Sequence, residues 1–231
     1  SIFGEVVSLV GRADELEELD EALARATEYL SPQMVLVQGD RGVGKSRLVS
    51  GWCEVLVGRP KEVRSYVGRA EEGDGDRELI GRLLRSRFGI EDENDDERAM
   101  AKLREQCQEV FEDRRMTEIL HFLGAFMNLR VRDNPFLRVL EEDPAEHEKI
   151  AATVLRRFFE ADSQRSPLVL VLENLHFADD ASLDSIQQMG ESFEGARIVL
   201  VAVARPKLRA RRPGWGISEG DVTEIGLGPL P

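Results

Sequence analysis

The run Gly39-Asp40-Arg41-Gly42-Val43-Gly44-Lys45-Ser46 sets glycines, a lysine and a hydroxyl at the spacing G-x-x-x-x-G-K-S, which is that of a loop wrapped around phosphate. Glycine permits the backbone curl in which successive N–H groups point inward at phosphate oxygens. In such a loop Lys45 reaches the β- and γ-phosphates and the Ser46 hydroxyl holds Mg²⁺. An apolar run, Met34-Val35-Leu36-Val37, precedes the loop, and Arg47-Leu48-Val49-Ser50-Gly51-Trp52-Cys53 follows it. That order reads as strand, loop, helix, and the helix adds its unpaired N–H groups and the positive end of its dipole. The plainer alternative is a glycine turn capping a helix beside an exposed lysine. The strand before and the helix after favour phosphate, with Gly39, Asp40, Arg41, Gly42, Val43, Gly44, Lys45, Ser46 and Arg47 as the binding residues.

A second constellation follows Leu168-Val169-Leu170-Val171-Leu172, a continuous apolar run suited to a buried parallel strand. Glu173, the first acid after it, is placed to hold a water of the Mg²⁺ shell, so Ser46 and Glu173 are the expected metal residues. The acid that polarises an attacking water usually comes next, but here that position is Asn174. An amide orients water and cannot take its proton. Either hydrolysis is slow, or Asp179 or Asp180 supplies the acid. Arg205 follows another buried run, 197–203, and its fork of donors suits a γ-phosphate. The catalytic candidates are therefore Lys45, Glu173, Asn174 and Arg205. A solvated acid at a strand end and a surface arginine before proline are the plain alternatives for Glu173 and Arg205.

The elements that position these residues alternate. Apolar residues in 1–10 lead to Gly11-Arg12, a turn before a helix with Leu16, Leu19, Leu23 and Ala26 at helical spacing. After the loop and its helix comes a short strand expected over 62–67, then Gly68-Arg69-Ala70 and a polar loop. The region 77–164 reads as helix throughout, with four apolar stripes taken as core. Within it Glu91 to Glu97 holds six acids in seven residues, without the glycine and alternation of a calcium loop; it reads as a solvated connection into a helix start. Strand 168–172, helix 181–193 and strand 197–203 follow, then a basic, proline-marked loop around Trp215 and a weak strand over 222–225.

This alternation predicts an α/β fold, a parallel sheet with helices on both faces. It divides into an α/β core of 1–76 and 165–231 and a long helical insertion, 77–164. Ligands of such sheets bind at the carboxyl ends of strands, which brings the loop, Glu173 and Arg205 to one rim.

The chain has 231 residues with 42% hydrophobic and 32% charged, a globular balance. Its net charge of −13 counts against nucleic acid as a partner, which demands a basic face. No apolar run is long enough for a membrane span, and the N-terminus does not read as a signal peptide. Cys53 and Cys107 read as free thiols of a reducing cytoplasm, and the three histidines show no metal-ligand spacing.

Leu9-Val10-Gly11-Arg12, the GDRGVGKS loop, LVLVLENLHFADDASLD and VAVARPKL occur in this order. Together they resemble the ATPase domain of the STAND class of P-loop signalling NTPases, relatives of AAA+ and ORC ATPases. More narrowly, they resemble the predicted ATPase modules set between a kinase or cyclase domain and tetratricopeptide repeats in bacterial regulators. The resemblance implies that Gly11 and Arg12 touch and close over adenine, and that Lys45 and Ser46 serve phosphate and Mg²⁺. Glu173 takes the Mg²⁺ acid position and Arg205 the sensor position. It implies ATP or ADP with Mg²⁺ as ligands and a conformational switch acting on flanking domains of the same chain, possible self-association included. Two departures stand out: Asn174 replaces a common Asp and Phe177 a common Trp. The chain stops where the family would continue into a helical domain, so a fragment of a larger regulator is expected. A binding module without turnover, a nucleic-acid loader and, distantly, a small-molecule kinase are the other functions weighed.

Overall fold

The computed structural model describes residues 11–59, 62–75, 77–91, 95–111, 116–129, 143–216 and 222–229. The expected apolar segment 1–10 lies outside these residues, as does part of the acidic run.

Five parallel strands form one sheet in the order β2-β3-β4-β1-β5: β1 is Gln33–Gly39, β2 Arg64–Arg69, β3 Leu168–Glu173, β4 Ile198–Ala204 and β5 Val222–Leu227. The three central strands are buried along their whole length, which is why they read as unbroken apolar runs rather than alternating ones. Their alternation is one of shape. Leu168, Leu170, Leu172, Ile198, Leu200, Met34 and Leu36 face one core, while Val169, Val171, Val199, Val201, Val203, Val35 and Val37 face the other.

The valine face is covered by α1 (Ala13–Glu28) and α2 (Lys45–Val57), which contribute Leu19, Ala22, Leu23, Leu48, Trp52 and Leu56. The leucine face carries the helices of the 77–164 region and those after it. These are α3 (Glu78–Phe88), α4 (Asp96–Val110), α5 (Met116–Phe126), α6 (Pro144–Arg165), α7 (Asp180–Ser192) and the short α8 (Lys207–Arg211). Among the described residues, region 77–164 supplies the four helices α3 to α6. Gly89 stops α3 in a left-handed conformation at φ 60°, and Asp95 starts α4 by accepting from Arg98 N.

The sheet register corrects two sequence expectations. β2 runs two residues later than expected, because pairing with β3 aligns Val67 with Val171 and Arg69 with Glu173. The stretch expected as a loop at Gly68-Arg69 is thus strand. The weak last strand extends to Leu227 because it pairs in parallel with β1 along its length. The proline-marked loop is a turn at 213–216 whose Trp215 indole is buried at 2% exposure and donates to Leu183 O at 2.7 Å.

The helical region is bolted to the sheet by a buried ionic cluster. Asp162 of α6, fully buried, accepts from Arg87 Nε at 2.5 Å and Nη2 at 2.8 Å, and from Arg64 Nη1 at 3.1 Å. Arg64 Nη2 also donates to the Asp162 carbonyl at 2.7 Å. Removing one member strands buried charge. Asp162→Ala should therefore cost about 3–5 kcal/mol in urea unfolding, and a loss below about 1 kcal/mol would contradict this role.

Candidate nucleotide site

The site lies where the chain leaves β1 and β4 toward opposite faces of the sheet, α2 on the valine face and α8 on the leucine face. That is the crevice in which open parallel sheets bind ligands. Two close approaches shape it. Gly39 packs so tightly on the end of β5 that a Cβ would lie 2.6 Å from Leu227 O. Gly44, the residue before α2, takes φ 95°, a left-handed conformation that turns the loop into the helix. No side chain caps α2, so its first N–H groups remain available to an anion.

A cavity of about 260 Å³ opens here, walled by Arg41, Gly42, Gly44, Lys45, Ser46 and Arg47 from the loop and α2, Asn174 and His176 beyond β3, and Val203 and Arg205 at the end of β4. Lys45 Nζ donates to Gly39 O at 2.8 Å and Asp40 O at 2.7 Å, so the loop's own carbonyls hold the ammonium in place. Burial, then the Arg205 guanidinium, lowers the Lys45 pKa. The wall holds four cationic side chains and no carboxylate among the described residues. It fits a polyanion.

Of the residues expected from sequence, Arg41, Gly42, Gly44, Lys45, Ser46, Arg47, Asn174 and Arg205 meet at this cavity, while Gly39, Asp40 and Val43 complete the loop behind it. Gly11 sits in a turn at φ 80°. Arg12 is buried and braces the loop from outside: its guanidinium donates to Val43 O at 3.2 Å, Gly228 O at 2.6 Å and Glu15 Oε1 at 2.8 Å.

Glu173 does not line the cavity. Its carboxylate, almost wholly buried, accepts from Arg69 Nε at 2.9 Å and Nη2 at 2.5 Å across the β2–β3 pair. Asn174 takes φ 60°, which asparagine tolerates, and turns the chain sharply off β3. Leu175 N then donates to Val203 O at 3.1 Å, pinning the turn to β4. The two alternative acids are committed elsewhere. Asp179 caps α7 by accepting from Ser182 N at 2.7 Å, and Asp180 pairs with Arg211 and Arg212, each at 3.5 Å.

A family model described as an AAA ATPase domain matches residues 8–201. The chain belongs to this family. The AAA ATPase domain shares its fold with the ORC2 protein of Aeropyrum pernix in its ADPNP–ADP complexes, at 12% identity and a TM-score of 0.53, covering 94% of this chain and 48% of that one. It is likewise similar to the Aeropyrum pernix ORC1 protein in complex with DNA, at 16% identity and a TM-score of 0.52, covering 96% of this chain and 46% of that one. The chain thus spans about half the length of these two neighbours. No curated protein matches it. No helix among the described residues is long and apolar enough to cross a membrane.

The sequence reading missed His176 as a wall residue and Arg69 as the partner of Glu173. His176 stands two residues after Asn174, so its place in the motif was visible while its burial was not. Arg69 depends on the β2–β3 register, which sequence does not contain.

Because Arg69 compensates a buried carboxylate, Arg69→Met should destabilise the nucleotide-free domain by about 1–3 kcal/mol. Mg²⁺ reaching Glu173 would replace that guanidinium, so saturating Mg-ATP should stabilise the variant more than the native chain in thermal unfolding. Equal stabilisation of both would show that Glu173 does not serve the metal.

Proposed function

We propose that this domain binds Mg-ATP in the β1–β4 cavity, hydrolyses it slowly, and works as a conformational switch for flanking parts of its own chain. The observation that carries the reading is the cavity wall, in which a left-handed glycine loop, a helix N-terminus and four cations converge without a carboxylate among the described residues. Lys45 would exchange the Gly39 and Asp40 carbonyls for β- and γ-phosphate oxygens, while Arg205 approaches the γ-phosphate from the end of β4. Bound Mg²⁺ would neutralise charge on the phosphates; Ser46 is placed to hold it, with Glu173, whose Oε2 is paired to Arg69, as the candidate acid for a water of its shell.

Slow turnover follows from the lack of a carboxylate among the described residues of the wall. Asn174 occupies the place of the expected acid and cannot accept a proton, and Asp179 and Asp180 are engaged in a helix cap and ion pairs. The motif order shared with STAND-class modules supports the switch role. So does Arg12, which links α1, the phosphate loop and the residue just after β5 in one set of hydrogen bonds. A loop moved by nucleotide would pull on both flanks of the domain.

A nucleic-acid loader is the second reading, favoured by the neighbour solved in complex with DNA. Against it stand the net charge of −13 and the pairing within the dense basic run. There Arg209 is paired with Glu224, Arg211 with Asp180, and Arg212 with Asp180 and Asp184.

The test is single-turnover ATP hydrolysis by the native chain beside Asn174→Asp. Restoring a carboxylate should raise the rate about tenfold or more without weakening ATP binding. Equal rates would remove Asn174 as the cause of slow turnover, and salt-sensitive DNA binding would favour the loader.

A further inference from the structure

His176 is unusual in this wall. Its residue is 5% exposed, and neither ring nitrogen has a hydrogen-bond partner among the described residues. Buried polar groups are ordinarily satisfied, and one that is not calls for an explanation. His176 is a wall residue of the phosphate cavity beside Asn174, Lys45 and Arg205. Its position is fixed. The Asn174 turn is pinned to β4 through Leu175, Phe177 N donates to Asn174 O at 2.9 Å, and the imidazole packs on the Phe177 ring with centroids 4.3 Å apart. The Arg205 guanidinium lies 5.7 Å from the centre of that same Phe177 ring.

The proton inventory of the cavity sharpens the point. Asn174 is an amide, Glu173 is held by Arg69, and Asp179 and Asp180 are occupied at the start of α7. The remaining ionisable wall residues are Arg41, Lys45, Arg47 and Arg205, all donors.

We propose that His176 is the proton acceptor of this site, receiving the hydrogen bond and then the proton of the water that attacks the γ-phosphate. The inference rests on the cavity being a nucleoside triphosphate site. In the step, the water oxygen bonds to the γ-phosphorus and the bond from that phosphorus to the β,γ-bridging oxygen breaks. The bridging oxygen leaves with its electron pair on the diphosphate, and the water proton passes to the imidazole. Both ring nitrogens are buried in this structure, so the side chain must turn about its torsions to present one to that water.

The charge around the ring is consistent with this role. Burial, Arg205, Lys45 and Lys207, in that order, lower the His176 pKa to about 4, so the imidazole is neutral near pH 7 and has an acceptor nitrogen. The cationic groups facing it come from the phosphate loop and α2 (Arg41, Lys45, Arg47) and from the end of β4 and the start of α8 (Arg205, Lys207). A bound triphosphate offsets these same charges, so basicity returns to the ring when substrate is in place.

The experiment pairs His176→Gln with the native chain, using ATP for single-turnover hydrolysis and a non-hydrolysable ATP analogue for binding. Imidazole nitrogen NMR of the native chain is recorded with and without the analogue. The expected result is analogue affinity within about threefold of native and a turnover rate lower by about 100-fold. An acid-side fall in rate should be present in the native chain and absent from the variant. In the native spectra, the His176 nitrogens should shift on saturation with the analogue, a readout independent of turnover and of the variant's folding. A variant as fast as native, unmoved His176 resonances at saturation, or analogue binding with no native turnover would each overturn the assignment. Failure of the native chain to bind the analogue would instead overturn the nucleotide reading on which it rests.

Discussion

Everything at this site depends on the parallel alignment of β1 between β4 and β5. Gln38 lies level with Ala204 and Gly39 with Leu227, so the phosphate loop, the Arg205 corner and the end of β5 emerge on one rim. The alignment leaves no room for a side chain at Gly39, whose Cβ would enter the Leu227 carbonyl. The loop is therefore braced on the β5 side by backbone packing and on the α1 side by Arg12, whose hydrogen bonds reach both Val43 and Gly228. Rigid strands hold the cradle, and the movable parts of the site are side chains.

Those side chains divide by how they are held. Lys45 is kept by loop carbonyls and Glu173 by Arg69, contacts for which a bound phosphate or metal would compete. Asn174 and His176 sit on a turn fixed by strand and ring packing. A polyanion or metal could compete for the charged groups, while the backbone that carries Asn174 and His176 is held against the sheet.

The sequence made the elements of chemistry legible because they are local. The glycine spacing, the acid after a buried strand and the arginine after the next all follow from a few neighbouring residues, and strand–helix alternation yields the two-faced sheet. Interactions set by register were hidden. Arg69 meets Glu173 only once β2 pairs with β3, and Asp162 meets Arg64 and Arg87 across nearly a hundred and about seventy-five positions. Trp215 looked like loop because proline and basic residues surround it, yet its indole caps the Leu183 carbonyl inside the core. His176 was visible as a residue but not as a buried one, since burial at a turn depends on what packs above it.

Lys45 is the most direct point of test. Equilibrium binding of Mg-ATP to the native chain and to Lys45→Ala, with circular dichroism showing both folded, tests whether the cavity is a triphosphate site. The prediction is saturable binding by the native chain and a loss of at least about 100-fold in the variant, roughly 2.7 kcal/mol. Equal affinity in the two proteins would contradict it, for then the loop, with its lysine held by its own carbonyls, would not be where the nucleotide sits.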